Sequence, residues 1–172
     1  EKIERMCFYH LVYSGRGSKL REEDLAHGES RRLLDLIADK TKAMFDDGMA
    51  PEILTVDNHA DGPYLYLKMK EKDPARAAEI LELLEMNEGN STGVGIGCVS
   101  WDGEVYPDQF WRNRPLGNVR KRPFSEIWTD EKNEFLMKLK EKKKHVHGRC
   151  ATCVWLSVCG GNFRARAESA GD

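Results

Sequence analysis

Residues 6–17 read Met-Cys-Phe-Tyr-His-Leu-Val-Tyr-Ser-Gly-Arg-Gly. The first eight form an almost continuous apolar run with β-branched and aromatic members, broken by Ser14-Gly15-Arg16-Gly17. A short run of this kind, bounded by turn residues, predicts a buried strand of a parallel sheet followed by a loop. Working outward, Leu33, Leu34, Ile37, Thr41, Met44 and Phe45 recur at helical spacing, with Ser30 as the expected cap and Gly48 at the expected stop. Ile-Leu-Thr-Val at 53–56 reads as a second short strand. Strand, helix, strand is the α/β crossover pattern, so the fold class expected is α/β. The second strand ends in Asp57-Asn58-His59-Ala60-Asp61-Gly62. Parallel α/β folds place their chemistry at such carboxyl ends.

Residues 63–72 fit either strand or helix, but Asp61 as a cap and Pro63 in the first turn favour helix. Asp73-Pro74 opens a further helix through residue 86. The Gly-rich stretch at 89–97 is the expected boundary between a first domain, 1–88, and a second, 89–172. Beyond it, 98–106 reads as a hairpin turning at Asp102-Gly103, a type I′ pair. Residues 123–128 read as a short helix. Asp130 is placed to cap a longer helix to about residue 144, and a closing helix is expected at 162–168.

The chain has 172 residues, 40% hydrophobic and 33% charged, which suits one domain or two small ones rather than wholesale disorder. No apolar run approaches the roughly 18 residues of a membrane-spanning helix. No signal-peptide apolar region opens it, so a cytoplasmic location is expected. The net charge of −2 excludes a globally basic nucleic-acid binder. It also hides an imbalance. Twelve Lys or Arg face five acids between 111 and 149, a local +7 that leaves −9 elsewhere. A run like this is a solvated helix face or a surface for an anionic partner.

Three of the five cysteines crowd into ten residues as Cys150-x2-Cys153-x5-Cys159. A CxxC pair presents two thiolates from one tight turn, and a third thiol six residues on can close over the same ion. Zinc and iron–sulfur both fit this spacing, and either needs a fourth ligand, for which Cys98 is the internal candidate. Cys7, within the apolar run, reads as a buried and inert thiol. A zinc-binding interaction module is therefore the rival to an enzyme.

Several motifs resemble the auxiliary-cluster (SPASM/twitch-like) domains of radical S-adenosylmethionine (SAM) enzymes. They are Gly103-Glu104-Val105-Tyr106-Pro107-Asp108, then Leu116-Gly117-Asn118-Val119 with Glu126-Ile127-Trp128, and Cys159-Gly160-Gly161 closing the cysteine motif. Residues 8–17 and 55–62 narrow the resemblance to the tetrapyrrole-modifying radical SAM enzymes of the alternative haem pathway and of haem d1 synthesis. It covers nearly the whole chain.

The resemblance implies the last part of a partial (β/α) barrel followed by a small α+β domain holding an auxiliary [4Fe–4S] cluster. It implies cluster ligation by Cys150, Cys153, Cys159 and either Cys98 or a downstream cysteine. SAM and a second [4Fe–4S] cluster are implied for the parent protein. So is hydrogen abstraction from a side chain of an iron tetrapyrrole, followed by C–C cleavage that removes acetate; the sister activity in haem d1 synthesis acts on propionate side chains. A ferredoxin or flavodoxin is the implied electron donor. His59 and Asp61 are the candidate catalytic residues, since an imidazole or carboxyl group at the barrel mouth suits proton transfer or substrate contact. Ser14, Arg16 and Asn58 are the candidate SAM-side contacts, Arg16 because a guanidinium takes a carboxylate bidentately. The CxxxCxxC motif of the SAM cluster is absent, so the resemblance implies a fragment inactive alone. Asp108 and Phe163 stand where larger relatives have Cys.

Overall fold

The computed structural model describes residues 3–169 and 171. Strand β1 (Arg5–Tyr9) pairs in parallel with β2 (Glu52–Val56), from Arg5 against Glu52 to Tyr9 against Val56. Between them run a 3₁₀ segment, Gly15–Glu23, and helix α1 (His27–Asp46). Helix α2 (Asp61–Lys72) leaves the end of β2, and α3 (Pro74–Asn87) packs back on it. Pro74 at the first position and the Asp73 carboxylate accepting from Arg76 N at 3.0 Å start α3 as its sequence predicts.

The second part is made of short pieces. A three-stranded antiparallel sheet joins β3 (Cys98–Val99), β4 (Glu104–Tyr106) and β5 (Gly117–Asn118). Helices α4 (Phe124–Trp128), α5 (Glu134–Lys140), α6 (Gly148–Ala151), α7 (Leu156–Cys159) and α8 (Arg164–Ser169) follow. Val105, Leu116, Ile127 and Leu136 form one core cluster. Val12, Trp111, Leu139 and Ala165 form another, which joins the loop after β1 to α5 and α8.

The mixed α/β class holds, and five expectations change in detail. The apolar run is a strand only to Tyr9, and β1 is not buried: Tyr9 is 69% exposed and Cys7 is half-buried, because β2 is its one partner among the described residues. Helix α1 starts three residues before Ser30, where Glu29 accepts from Ala26 N at 2.9 Å. Asp61 does not cap α2; it is the first helical residue, and its carboxylate is engaged elsewhere. Asn133, not Asp130, caps α5 by accepting from Leu136 N at 3.0 Å, and the helix stops at Lys140. At the hairpin only Gly103 has positive φ, +88°, with Gly103 N donating to Ser100 O. That is a type I turn with a left-handed glycine, not type I′.

Candidate cluster site and the adjoining polar network

Cys150 lies in the single turn of α6, and Cys153 follows in a tight turn, its N–H donating to Cys150 O at 3.2 Å. Cys159 ends α7. The next three residues are all left-handed: Gly160 (φ +65°), Gly161 (+81°) and Asn162 (+59°). This run turns the N–H groups of Gly161 and Asn162 onto the Cys159 sulfur. Burial pushes the Cys159 thiol up. Those two N–H groups pull it down, and negative charge on Cys150 and Cys153 pushes it up again.

No group of three or more His, Cys, Asp or Glu among the described residues closes to metal-ligating distance. The donor set nevertheless fits a thiolate-held group: three soft ligands around one turn, with N–H donors aimed at a sulfur. Cys98 sits half-buried on β3 opposite Tyr106. Gly89 fixes how the loop meets this turn. It is left-handed (φ +70°), and a Cβ there would land on the carbonyls of Val158 and Cys159. Asn90 N then donates to Cys159 O at 3.0 Å. The Gly-rich stretch is thus glycine for close approach.

A polar network adjoins this turn. Asp61, 3% exposed, contacts His10 Nε2 through Oδ2 and accepts from Asn58 Nδ2 through Oδ1, both at 2.8 Å. Asn162 Nδ2 donates to Asn58 Oδ1 at 2.7 Å. The Asn162 side chain therefore joins the cysteine turn to the end of β2. The His59 ring packs tilted on Phe163, which meets Phe110 edge-on. Burial pushes the His59 imidazole below its usual range, and its Nδ1 is buried with no partner. At the end of β2 itself, Asp57 is left-handed (φ +70°), and burial raises its carboxyl.

Behind the network lies Asp108, wholly buried. It accepts from Thr92 Oγ1 at 2.7 Å and from the N–H groups of Phe110 and Trp111 at 2.8 Å each. Asp108 is an anchor for the loop at 110–111, and Phe163 is a packing residue. Lys142 is 7% exposed, and its Nζ donates to Asn90 Oδ1 at 2.7 Å. Burial lowers its pKa to about 8, with Arg164 and Lys143 adding to the effect.

The structure thus brings Asn58, His59 and Asp61 into one place, while Cys150, Cys153 and Cys159 follow one another along the adjoining turn without closing to ligating distance. Ser14 and Arg16 are apart. Ser14 Oγ donates to Phe110 O at 2.5 Å on the wall of a cavity of about 380 Å³, and Arg16 is exposed. Sequence reasoning missed Asn162, Lys142 and Asn90. The left-handed position after Gly-Gly was the one local hint for Asn162. Lys142 lies past the end of α5 among exposed lysines, and no local signal marks it.

A turn bearing three cysteines, with backbone donors beside one of them, has the chemistry of a thiolate-held group. Residues 95–154 match the family model of SPASM, an iron–sulfur cluster-binding domain. The chain is 59% identical, over 98% of its length, to the Fe-coproporphyrin III synthase of Methanosarcina barkeri, covering 43% of that protein. It is 38% identical over 97% to the pre-heme d1 synthase of Dinoroseobacter shibae, covering 42% of it. It is 28% identical over 91% to the AdoMet-dependent heme synthase of Nitratidesulfovibrio vulgaris, covering 40% of it. The chain spans about two fifths of the length of these relatives. No solved structure matches it. Residues 95–154 thus resemble an iron–sulfur cluster-binding domain, and the chain as a whole is similar to part of these haem-pathway synthases.

Proposed function

We propose that this chain is the cluster-bearing part of a radical SAM enzyme that removes acetate side chains from a sirohaem-derived iron tetrapyrrole. The observation that carries the reading is the turn at 150–162, which holds Cys150, Cys153 and Cys159 and sets two backbone N–H groups by Cys159, in a chain 59% identical to an Fe-coproporphyrin III synthase. The parallel β1–α1–β2 unit supports residues 1–88 as the end of a partial (β/α) barrel, with 89–172 as the cluster domain. The family match supports iron–sulfur over zinc. Cys150, Cys153 and Cys159 are the proposed ligands to a [4Fe–4S] group, with Cys98 or a cysteine outside this chain as the fourth. When bound, such a group supplies one-electron chemistry.

The chain's own residues have separate tasks in this reading. The N–H groups of Gly161 and Asn162 favour the Cys159 thiolate that binds. Asn162 holds Asn58, and Asn58 with His10 fixes Asp61. The neutral His59, with a free ring nitrogen, is placed to handle a proton or a substrate oxygen. Ser14, Arg16 and Asn58 are proposed on the SAM side. SAM and a second [4Fe–4S] cluster belong to the full-length protein, with a ferredoxin or flavodoxin as electron donor. Five free thiols agree with a reducing compartment, and we propose the cytoplasm.

Anaerobically purified chain should carry iron and sulfide at about four each, the composition of a [4Fe–4S] cluster. Colourless protein with zinc alone would sink the reading. A second reading, propionate chemistry in haem d1 synthesis, is favoured by the 38% identity to a pre-heme d1 synthase. Full-length protein given SAM, a reductant and the iron tetrapyrrole separates the two by mass: loss of acetate supports the first, and modification of propionates alone supports the second.

A further inference from the structure

We propose that Lys142, with Arg164 beside it, is the buried counter-charge of the group held by Cys150, Cys153 and Cys159, and that it raises that group's reduction potential. The inference rests on the reading that these thiols hold an iron–sulfur cluster.

A lysine that is 7% exposed needs an anion or a dense set of acceptors. Among the described residues Lys142 has neither. Its Nζ meets one acceptor, the neutral Asn90 Oδ1, and it forms no ion pair among the described residues. Asp108, the carboxylate whose charge reaches it, already accepts three hydrogen bonds. Arg164 and Lys143 add positive charge near it. This corner is therefore positive and buried, with its negative partner unaccounted for.

Two further features point the same way. Asn90 Nδ2 and Arg164 Nε are buried N–H donors with no acceptor. Both residues adjoin the cysteine turn: Asn90 N donates to Cys159 O at 3.0 Å, and the Arg164 guanidinium donates to Gly161 O. Asn90 and Arg164 thus stand against the backbone of the turn that carries Cys159, with Lys142 bonded to Asn90, and a cluster with several thiolates is the anion this corner lacks. Reduction adds an electron to that anion. Positive charge and N–H donors beside it stabilise the reduced form more than the oxidised form and so raise the potential.

The test is an anaerobic redox titration of the iron-loaded chain at fixed pH, followed by electron paramagnetic resonance, for wild type, Lys142→Met, Lys142→Arg and Asn90→Asp. Lys142→Met should keep its iron and lower the potential by about 59 mV, a roughly tenfold fall in the reduced-to-oxidised ratio of a one-electron couple. Lys142→Arg should stay near wild type. Asn90→Asp, which supplies Lys142 with a private carboxylate, should also lower the potential and covers the case in which Lys142→Met does not load. Unchanged potentials in iron-replete Lys142→Met or Asn90→Asp overturn the inference. A wild-type chain that binds no iron overturns the cluster reading itself, which is a separate and visible failure.

Discussion

The two parts of the molecule differ in how regularity relates to burial. Residues 1–88 hold the long helices, yet many of their apolar side chains face outward: Leu36 is 54% exposed, Phe45 69% and Leu83 64%. Residues 89–169 are short strands, single helical turns and loops, yet Val105, Ile127 and Leu136 are wholly buried. Hydrogen-bonded regularity and tight packing are thus supplied by different parts of the chain. In the second part, close approach of irregular backbone does the work that helix faces do elsewhere. The proposed ligands sit in that irregular part, where a turn can aim several N–H groups at one sulfur.

The sharpest way to break this contrast uses two left-handed glycines. Gly48 (φ +77°) has open space where a Cβ would go, whereas Gly89 (φ +70°) faces the carbonyls of Val158 and Cys159. Gly48→Ala should cost only the left-handed strain, about 1 kcal/mol. Gly89→Ala adds overpacking against backbone that cannot rotate away, and roughly 3 kcal/mol or more is expected in total. Urea unfolding of both variants measures the gap. Equal losses would mean that the loop does not depend on its contact with the cysteine turn.

A second pair compares equal truncations. Leu136→Ala empties a wholly buried site and should cost about 2–5 kcal/mol. Leu83→Ala removes a side chain that is 64% exposed and should stay within about 0.5 kcal/mol. A large loss at Leu83 would show that the helical face is covered in solution.

Asp61 tests the seam between the parts. Asp61→Leu leaves Asn58 Nδ2 and the His10 ring without their acceptor and should cost about 1–3 kcal/mol. Asn162→Ala should cost less, because Asn58 loses one donor and keeps Asp61. Equal losses would mean that Asn162 holds the seam as firmly as Asp61 does.

How much of this was legible follows the same divide. The helices of the first part announce themselves through apolar spacing and caps, as Asp73-Pro74 does for α3. The exposure of β1 was not legible, because an apolar run records what a strand can bury and not what covers it. The 3₁₀ segment at Gly15–Glu23 has no apolar period to betray it. In the second part the cysteine spacing was readable because ligation imposes it locally. Lys142 was not: it sits among exposed lysines at 140, 143 and 144, and its burial is set by Asn90, 52 residues away.

The smallest effect concerns acid, and it contrasts two carboxylates. Asp46 pairs with Lys42 on the exposed face of α1, and Asp46→Asn should change stability by less than about 0.5 kcal/mol. Glu168 on α8 is partly buried, which alone would raise its carboxyl. Asn113, Arg114 and Trp111 all donate to it and carry it below its ordinary value. A lowered folded pKa stabilises the protein above the unfolded value of about 4.3, and that contribution is lost as pH falls through the folded value. Glu168→Gln should therefore lie below wild type near pH 6 and converge on it as pH drops through 4 toward 3. Urea midpoints across that range should show the two curves closing. Curves that stay parallel would mean that the pocket holds the glutamine as well as the carboxylate, and that α8 is tied to 111–114 by shape alone.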